Sequence, residues 1–128
     1  MEKVAPKNIL LVDDQQNFLT ILATELRDSI NNFSILIAEN GERALKVLES
    51  THVDLVVTDL RMPVMNGYEF ISRMKNNYPA IPIIVVSCFL YPESETRLRA
   101  LGVLQCVDKV SLNVNALEEM ILRGLQGV

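Results

Sequence analysis

Apolar residues recur along this chain in two distinct ways. Unbroken runs at Ile9-Leu10-Leu11-Val12, Leu55-Val56-Val57 and 81–87 have the length and β-branched content of strands covered on both faces. Extending the first to 7–12 and adding 33–38 and the short run 103–107 gives five strands. Between them, apolar residues fall three and four positions apart, the spacing of one face of a helix. Phe18, Ile21, Leu22 and Leu26 predict a helix over about 15–29, and Ala44, Leu45, Val47 and Leu48 one that opens at Asn40-Gly41. Phe70, Ile71 and Met74 mark a third over 67–77, closed by Tyr78-Pro79 because a residue before proline is pushed out of helical angles. Pro92 suits a first helical position, so a fourth starts at 91 or 92 and runs to 101, with Gly102 as its stop. Asn113 caps a fifth lined by Val114, Leu117 and Ile121.

Strict alternation of buried strands with amphipathic helices predicts an α/β domain. Its fold is a flavodoxin-like, doubly wound, five-stranded parallel sheet in the order 2-1-3-4-5, with five helices on its two faces. In that order the first and third strands are neighbours at the switch point, where ligands bind beyond the carboxyl ends of the strands. Asp13 and Asp14 end the first strand and Asp59 the third; Ser87 closes the fourth and Lys109 follows the fifth. Five polar groups are thus expected at one edge.

Composition narrows the class. At 128 residues with 49% hydrophobic and 22% charged positions, the chain is expected to be one domain, structured over about 7–125, with no output domain after it. A net charge of -4 and the lack of a basic cluster argue against direct nucleic-acid binding. The N-terminus has no apolar signal core and no run reaches the length of a bilayer span, so a cytoplasmic protein without membrane contact is expected. Cys88 and Cys106 fit neither a disulfide framework nor a zinc site, and free buried thiols are the plain expectation. Pairing of the fourth and fifth strands would nevertheless bring them near each other, which raises a redox-gated disulfide as a hypothesis.

Three crowded carboxylates repel one another unless a cation compensates. Mg2+ takes oxygen ligands and is commonly held by one or two carboxylates plus a phosphate. Asp14, Asp59 and a backbone carbonyl near Arg61 are the candidate ligands, leaving Asp13 to orient a water or Lys109. A strand-end carboxylate can attack phosphorus. Charge on the transferring oxygens would then meet Mg2+, Lys109 and the Ser87 hydroxyl.

Leu11-Val12-Asp13-Asp14, the stretch Asp59-Leu60-Arg61-Met62-Pro63-Val64-Met65-Asn66-Gly67, Ser87 and Lys109 together resemble the signature of receiver domains of bacterial two-component response regulators. The resemblance implies that Asp59 accepts a phosphoryl group from the phosphohistidine of a sensor histidine kinase or a phosphotransfer protein. It implies that Asp13 and Asp14 hold Mg2+, and that Ser87 and Lys109 contact the phosphoryl group. It also implies a rearranged surface on the fourth helix, fifth strand and fifth helix, read by a downstream effector protein or a fused output domain. Such a domain catalyses only its own phosphorylation and dephosphorylation.

Departures from that signature are local. Cys106 stands where an aromatic residue usually does, Cys88 and Phe89 follow Ser87, and Val110 replaces a common proline after the lysine. Arg61 and Phe89 flank the acceptor. Rival functions fit less well. A flavodoxin would place a phosphate against Asp13-Asp14, and a haloacid-dehalogenase-type phosphatase needs an acid where Arg61 stands. A phosphorylation-independent receiver-like interaction module is the alternative from another class. His52 is expected to be a solvated loop residue, and Met62, Met65 and Met74 to pack the core.

Overall fold

A computed structural model describes residues 5–88 and 90–127. Its elements are β1 (Asn8–Val12), α1 (Gln16–Arg27), β2 (Ser34–Ala38), α2 (Gly41–Ser50), β3 (Leu55–Thr58), α3 (Gly67–Asn77), β4 (Ile83–Ser87), α4 (Pro92–Ala100), β5 (Gln105–Asp108) and α5 (Val114–Leu125). Every strand pair is parallel and the sheet order is 2-1-3-4-5. The expected topology is the observed one.

Side chains alternate across the sheet and so divide the core in two. Leu10, Val12, Val56, Ile83 and Val85 face Phe70, Ile71 and Met74 of α3, with α2 and Leu98 of α4 on the same side. Ile9, Leu11, Leu55, Val57, Ile84 and Val86 face Leu22 and Leu26 of α1 and Leu117 and Ile121 of α5. Burying each such side chain contributes roughly 1.5–3 kcal/mol, which makes β1, β3 and β4 a rigid base for whatever their ends carry. Asn40, Asn66 and Asn113 cap α2, α3 and α5, each side chain accepting from the N–H three residues on. Met62, Met65 and Met74 are buried as expected.

Three local expectations change. In α1 the buried stripe is Leu19, Leu22, Ala23 and Leu26, whereas Ile21 is 61% exposed. Adjacent helix positions are turned about 100° apart, so Ile21 cannot share the face that Leu22 buries. β4 begins at Ile83, two residues after the apolar run does, because Pro82 has no N–H for the ladder. β5 is shifted to Gln105–Asp108 because the Val103 N–H turns back to the Leu98 carbonyl at 3.0 Å, closing α4.

The strand register also overturns the disulfide hypothesis. Cys106 lies opposite Val85, three residues before Cys88, a displacement of roughly 10 Å along the strand. Bridged Cα atoms are at most about 7 Å apart, and both cysteines are free thiols. His52 is exposed, as expected, but its Nε2 lies 2.8 Å from Asp54 Oδ1. Asp54 Oδ2 in turn accepts from the Asn8 N–H at 2.8 Å, tying the start of β3 to that of β1.

Candidate functional site: an acidic crevice with one lysine

The sheet carries the polar groups to one edge by extending its own hydrogen bonding. Asp13 N–H donates to the Ala38 carbonyl at 3.1 Å, Asp59 N–H to Val12 at 2.9 Å and Lys109 N–H to Ser87 at 3.0 Å. Asp13, Asp59 and Lys109 are therefore each the next rung after a strand, buried for β1 and β3 and partly exposed for β5, and the ladder below fixes each backbone. Asp13, Asp59 and Ser87 are buried, at 2%, 7% and 1% exposure, while Asp14 is exposed.

The acids converge: carboxylate oxygens of Asp13, Asp14 and Asp59 lie within 4.8 Å of one another. Lys109 Nζ reaches Asp13 Oδ2 at 2.6 Å and Asp59 Oδ2 at 3.4 Å, with only 7% of its side chain exposed. Asp59 Oδ1 is held from the other side by the N–H groups of Leu60 (2.6 Å) and Arg61 (3.4 Å). Ser87 Oγ donates to the Cys88 carbonyl at 3.4 Å, a long bond that leaves the hydroxyl free to turn into the crevice. Asp14, Asp59, Arg61, Ser87, Cys88 and Lys109 share the lining of that crevice. With Asp13 joined through Lys109, the six site residues expected from the sequence, Asp13, Asp14, Asp59, Arg61, Ser87 and Lys109, lie together.

Burial is the largest influence on Asp13 and holds its carboxyl above the ordinary range, although the Lys109 bond pulls the other way. For Lys109 burial favours the neutral amine, but the hydrogen bond and charge of Asp13, joined by Asp59, outweigh it and hold the ammonium above its usual value. Lys109 therefore stays protonated at neutral pH. Three carboxylates, two of them buried, outnumber the Lys109 ammonium, with the exposed Arg61 also on the crevice lining. This all-oxygen donor set fits a hard divalent cation such as Mg2+.

Gln15 and Phe18 were not legible as part of this site. Gln15 Oε1 accepts from Lys109 Nζ at 2.6 Å, and the ammonium stands 4.3 Å from the centre of the Phe18 ring. The available signal was a glutamine directly after the acid pair, at the N-cap of α1, where a short capping side chain is preferred. Cys106 is half-buried on β5, its thiol pushed up by burial and by Glu95 against the effect of Arg99. Val110 donates its N–H to Asp108 Oδ1 at 2.9 Å, a bond that a proline cannot make. Phe89, expected to flank the acceptor, lies outside the described residues.

The family model of the response regulator receiver domain matches residues 9–122. Regulatory protein AtoC of Escherichia coli is 32% identical over 124 residues, covering 95% of this chain and 26% of that protein. Among solved structures, response regulator protein TrrA of Thermotoga maritima in complex with Mg2+-BeF has a TM-score of 0.80 and 32% identity, covering 92% of this chain and 98% of that one. A receiver domain protein from Methanospirillum hungatei superposes with a TM-score of 0.88 at 24% identity over 96% of each chain, a likeness of fold. The chain spans 18% to 42% of the length of the first curated relatives that it matches.

Proposed function

Because the chain belongs to the response regulator receiver domain family, we propose that Asp59 is its phosphoacceptor and that the acidic crevice is the site of phosphoryl transfer. The observation that carries this reading is Lys109 bridging Asp13 and Asp59 within a cluster of three carboxylates. Two backbone N–H groups anchor Asp59 Oδ1, which leaves Oδ2, on the lysine side, as the nucleophile.

Asp59 Oδ2 attacks phosphorus, the bond from phosphorus to the donor's imidazole nitrogen breaks, and the nitrogen keeps the electron pair. Lys109, already aimed at Oδ2, meets negative charge on the transferring oxygens, and the Ser87 hydroxyl turns from the Cys88 carbonyl toward the same group. Asp13 holds the ammonium in place. Asp13, Asp14, Asp59 and the Arg61 carbonyl would hold Mg2+, which when bound supplies charge neutralisation for the phosphoryl oxygens. The donor is a sensor histidine kinase or a phosphotransfer protein in the cytoplasm. Movement of Ser87 is passed to the surface of α4, β5 and α5, where an effector protein or a fused output domain reads it. With Cys106 in β5, that transmission proceeds without an aromatic side chain at this position.

Intact mass after incubation with a small-molecule phosphodonor and Mg2+ tests the reading. A labile phosphoryl adduct is expected on the wild type and not on Asp59→Asn, nor with a chelator present. No adduct on folded wild type would reject phosphotransfer and favour a phosphorylation-independent binding module.

A further inference from the structure

An ammonium has three N–H donors, and Lys109 meets three acceptors: Asp13 Oδ2 at 2.6 Å, Gln15 Oε1 at 2.6 Å and Asp59 Oδ2 at 3.4 Å. Two of these bonds are short and one is long. We propose that Gln15 is a positioning residue which, with Asp13, fixes the orientation of Lys109 so that its third N–H points at the Asp59 oxygen that receives the phosphoryl group. The inference rests on the phosphoacceptor reading of Asp59.

The geometry around Gln15 supports a dedicated role. Gln15 occupies the N-cap of α1 but its side chain makes no cap bond. Its own N–H donates to Asp13 Oδ1 at 2.9 Å, so one carboxylate fixes both the lysine and the backbone of the residue that completes its cradle. The Phe18 ring, one turn into α1, lies 4.3 Å from Nζ and closes a further side. A neutral amide suits this position: a carboxylate would supply the same acceptor but add a fourth negative charge. When a phosphoryl oxygen arrives, the long bond to Asp59 is the one that exchanges, and the two short bonds keep the ammonium from turning toward water at the mouth of the crevice. Unlike the acids, Gln15 is not required for nucleophilic attack; it acts only through the lysine.

Two variants separate this role from a merely structural one, because neither disturbs an existing cap. Gln15→Met keeps the side-chain length and removes the acceptor, whereas Gln15→Glu keeps an acceptor. With 15N-labelled lysine, the wild-type Lys109 ammonium is expected to give a slowly exchanging proton signal without phosphodonor. That signal should be lost in Gln15→Met and recovered in Gln15→Glu. Phosphorylation of Gln15→Met by a small-molecule phosphodonor should be slower by roughly three- to tenfold. A Gln15→Met protein that keeps both the ammonium signal and a wild-type rate would overturn the proposal. If wild type takes no phosphoryl group at all, the phosphoacceptor reading fails, and the ammonium spectra still decide whether Gln15 holds the lysine.

Discussion

A methyl group added at Gly67 would stand 2.5 Å from the Leu60 Cα and 2.9 Å from the Asp59 and Leu60 carbonyl oxygens. All three atoms are backbone of the acceptor segment, which therefore cannot yield without moving Asp59. Gly67→Ala is expected to lose stability at the upper end of the roughly 1–3 kcal/mol that overpacking costs, and to lose phosphorylation with it. Urea unfolding beside the phosphodonor assay checks both. In the same loop Val64 has φ of 73°, a left-handed conformation that a β-branched residue seldom takes, and it is 75% exposed. The single-residue signals strongest in the sequence were the charged ones: Asp13, Asp59 and Lys109 each directly follow a strand, and Asp14 comes one residue later. Gln15 stayed hidden for the opposite reason. An amide is an ordinary residue at the start of a helix, and its partner lies 94 positions away.

Element boundaries follow from hydrogen bonding more than from hydropathy, which is why some were legible and others were not. α3 is bounded by Asn66 as a cap and by Pro79 beyond its end, both readable, and it runs over the expected residues. β5 was read two residues early because Val103 is apolar, although its N–H serves α4 rather than the sheet. Ile21 was read as buried because apolar spacing alone does not fix the centre of a stripe. The link between β1 and β3 through Asp54 yields a pH-dependent prediction. Burial works against the Asp54 charge, but the Asn8 N–H, joined by His52, outweighs it and holds the carboxyl below its ordinary value. A carboxyl depressed in the folded state adds stability above its unfolded value near 3.9, and that stability is lost as pH falls through the folded value. Asp54→Ala should therefore be less stable than wild type by about 1 kcal/mol at pH 7. The gap should narrow as pH drops below about 4, as measured by urea unfolding across pH.

For the molecule as a whole, the sheet and the acidic crevice oppose each other: strand packing forces together carboxylates that repel. Topology was legible because five strand-like apolar runs alternate with amphipathic stretches, and parallel order follows from the crossovers that such alternation requires. The exposed side chains of α4 and α5 carried no such pattern, since they face no packing constraint within one chain. A cation that relieves the repulsion should stabilise the fold. At Mg2+ tenfold above its dissociation constant the gain is about 1.4 kcal/mol, a rise of roughly 3–6 °C in Tm. Asp14→Asn without metal should be at least as stable as wild type, because one repelling charge is gone, and it should lose most of the Mg2+-dependent rise. Thermal unfolding with and without Mg2+ gives both numbers. The central claim, that this architecture serves to make Asp59 an acceptor, is tested most directly by trapping the product. After phosphodonor and Mg2+, borohydride reduces an aspartyl phosphate to homoserine, and peptide mapping then locates it. Homoserine at position 59 alone is the predicted result; homoserine at 13 or 14, or none in protein that carries the phosphoryl mass, would contradict it.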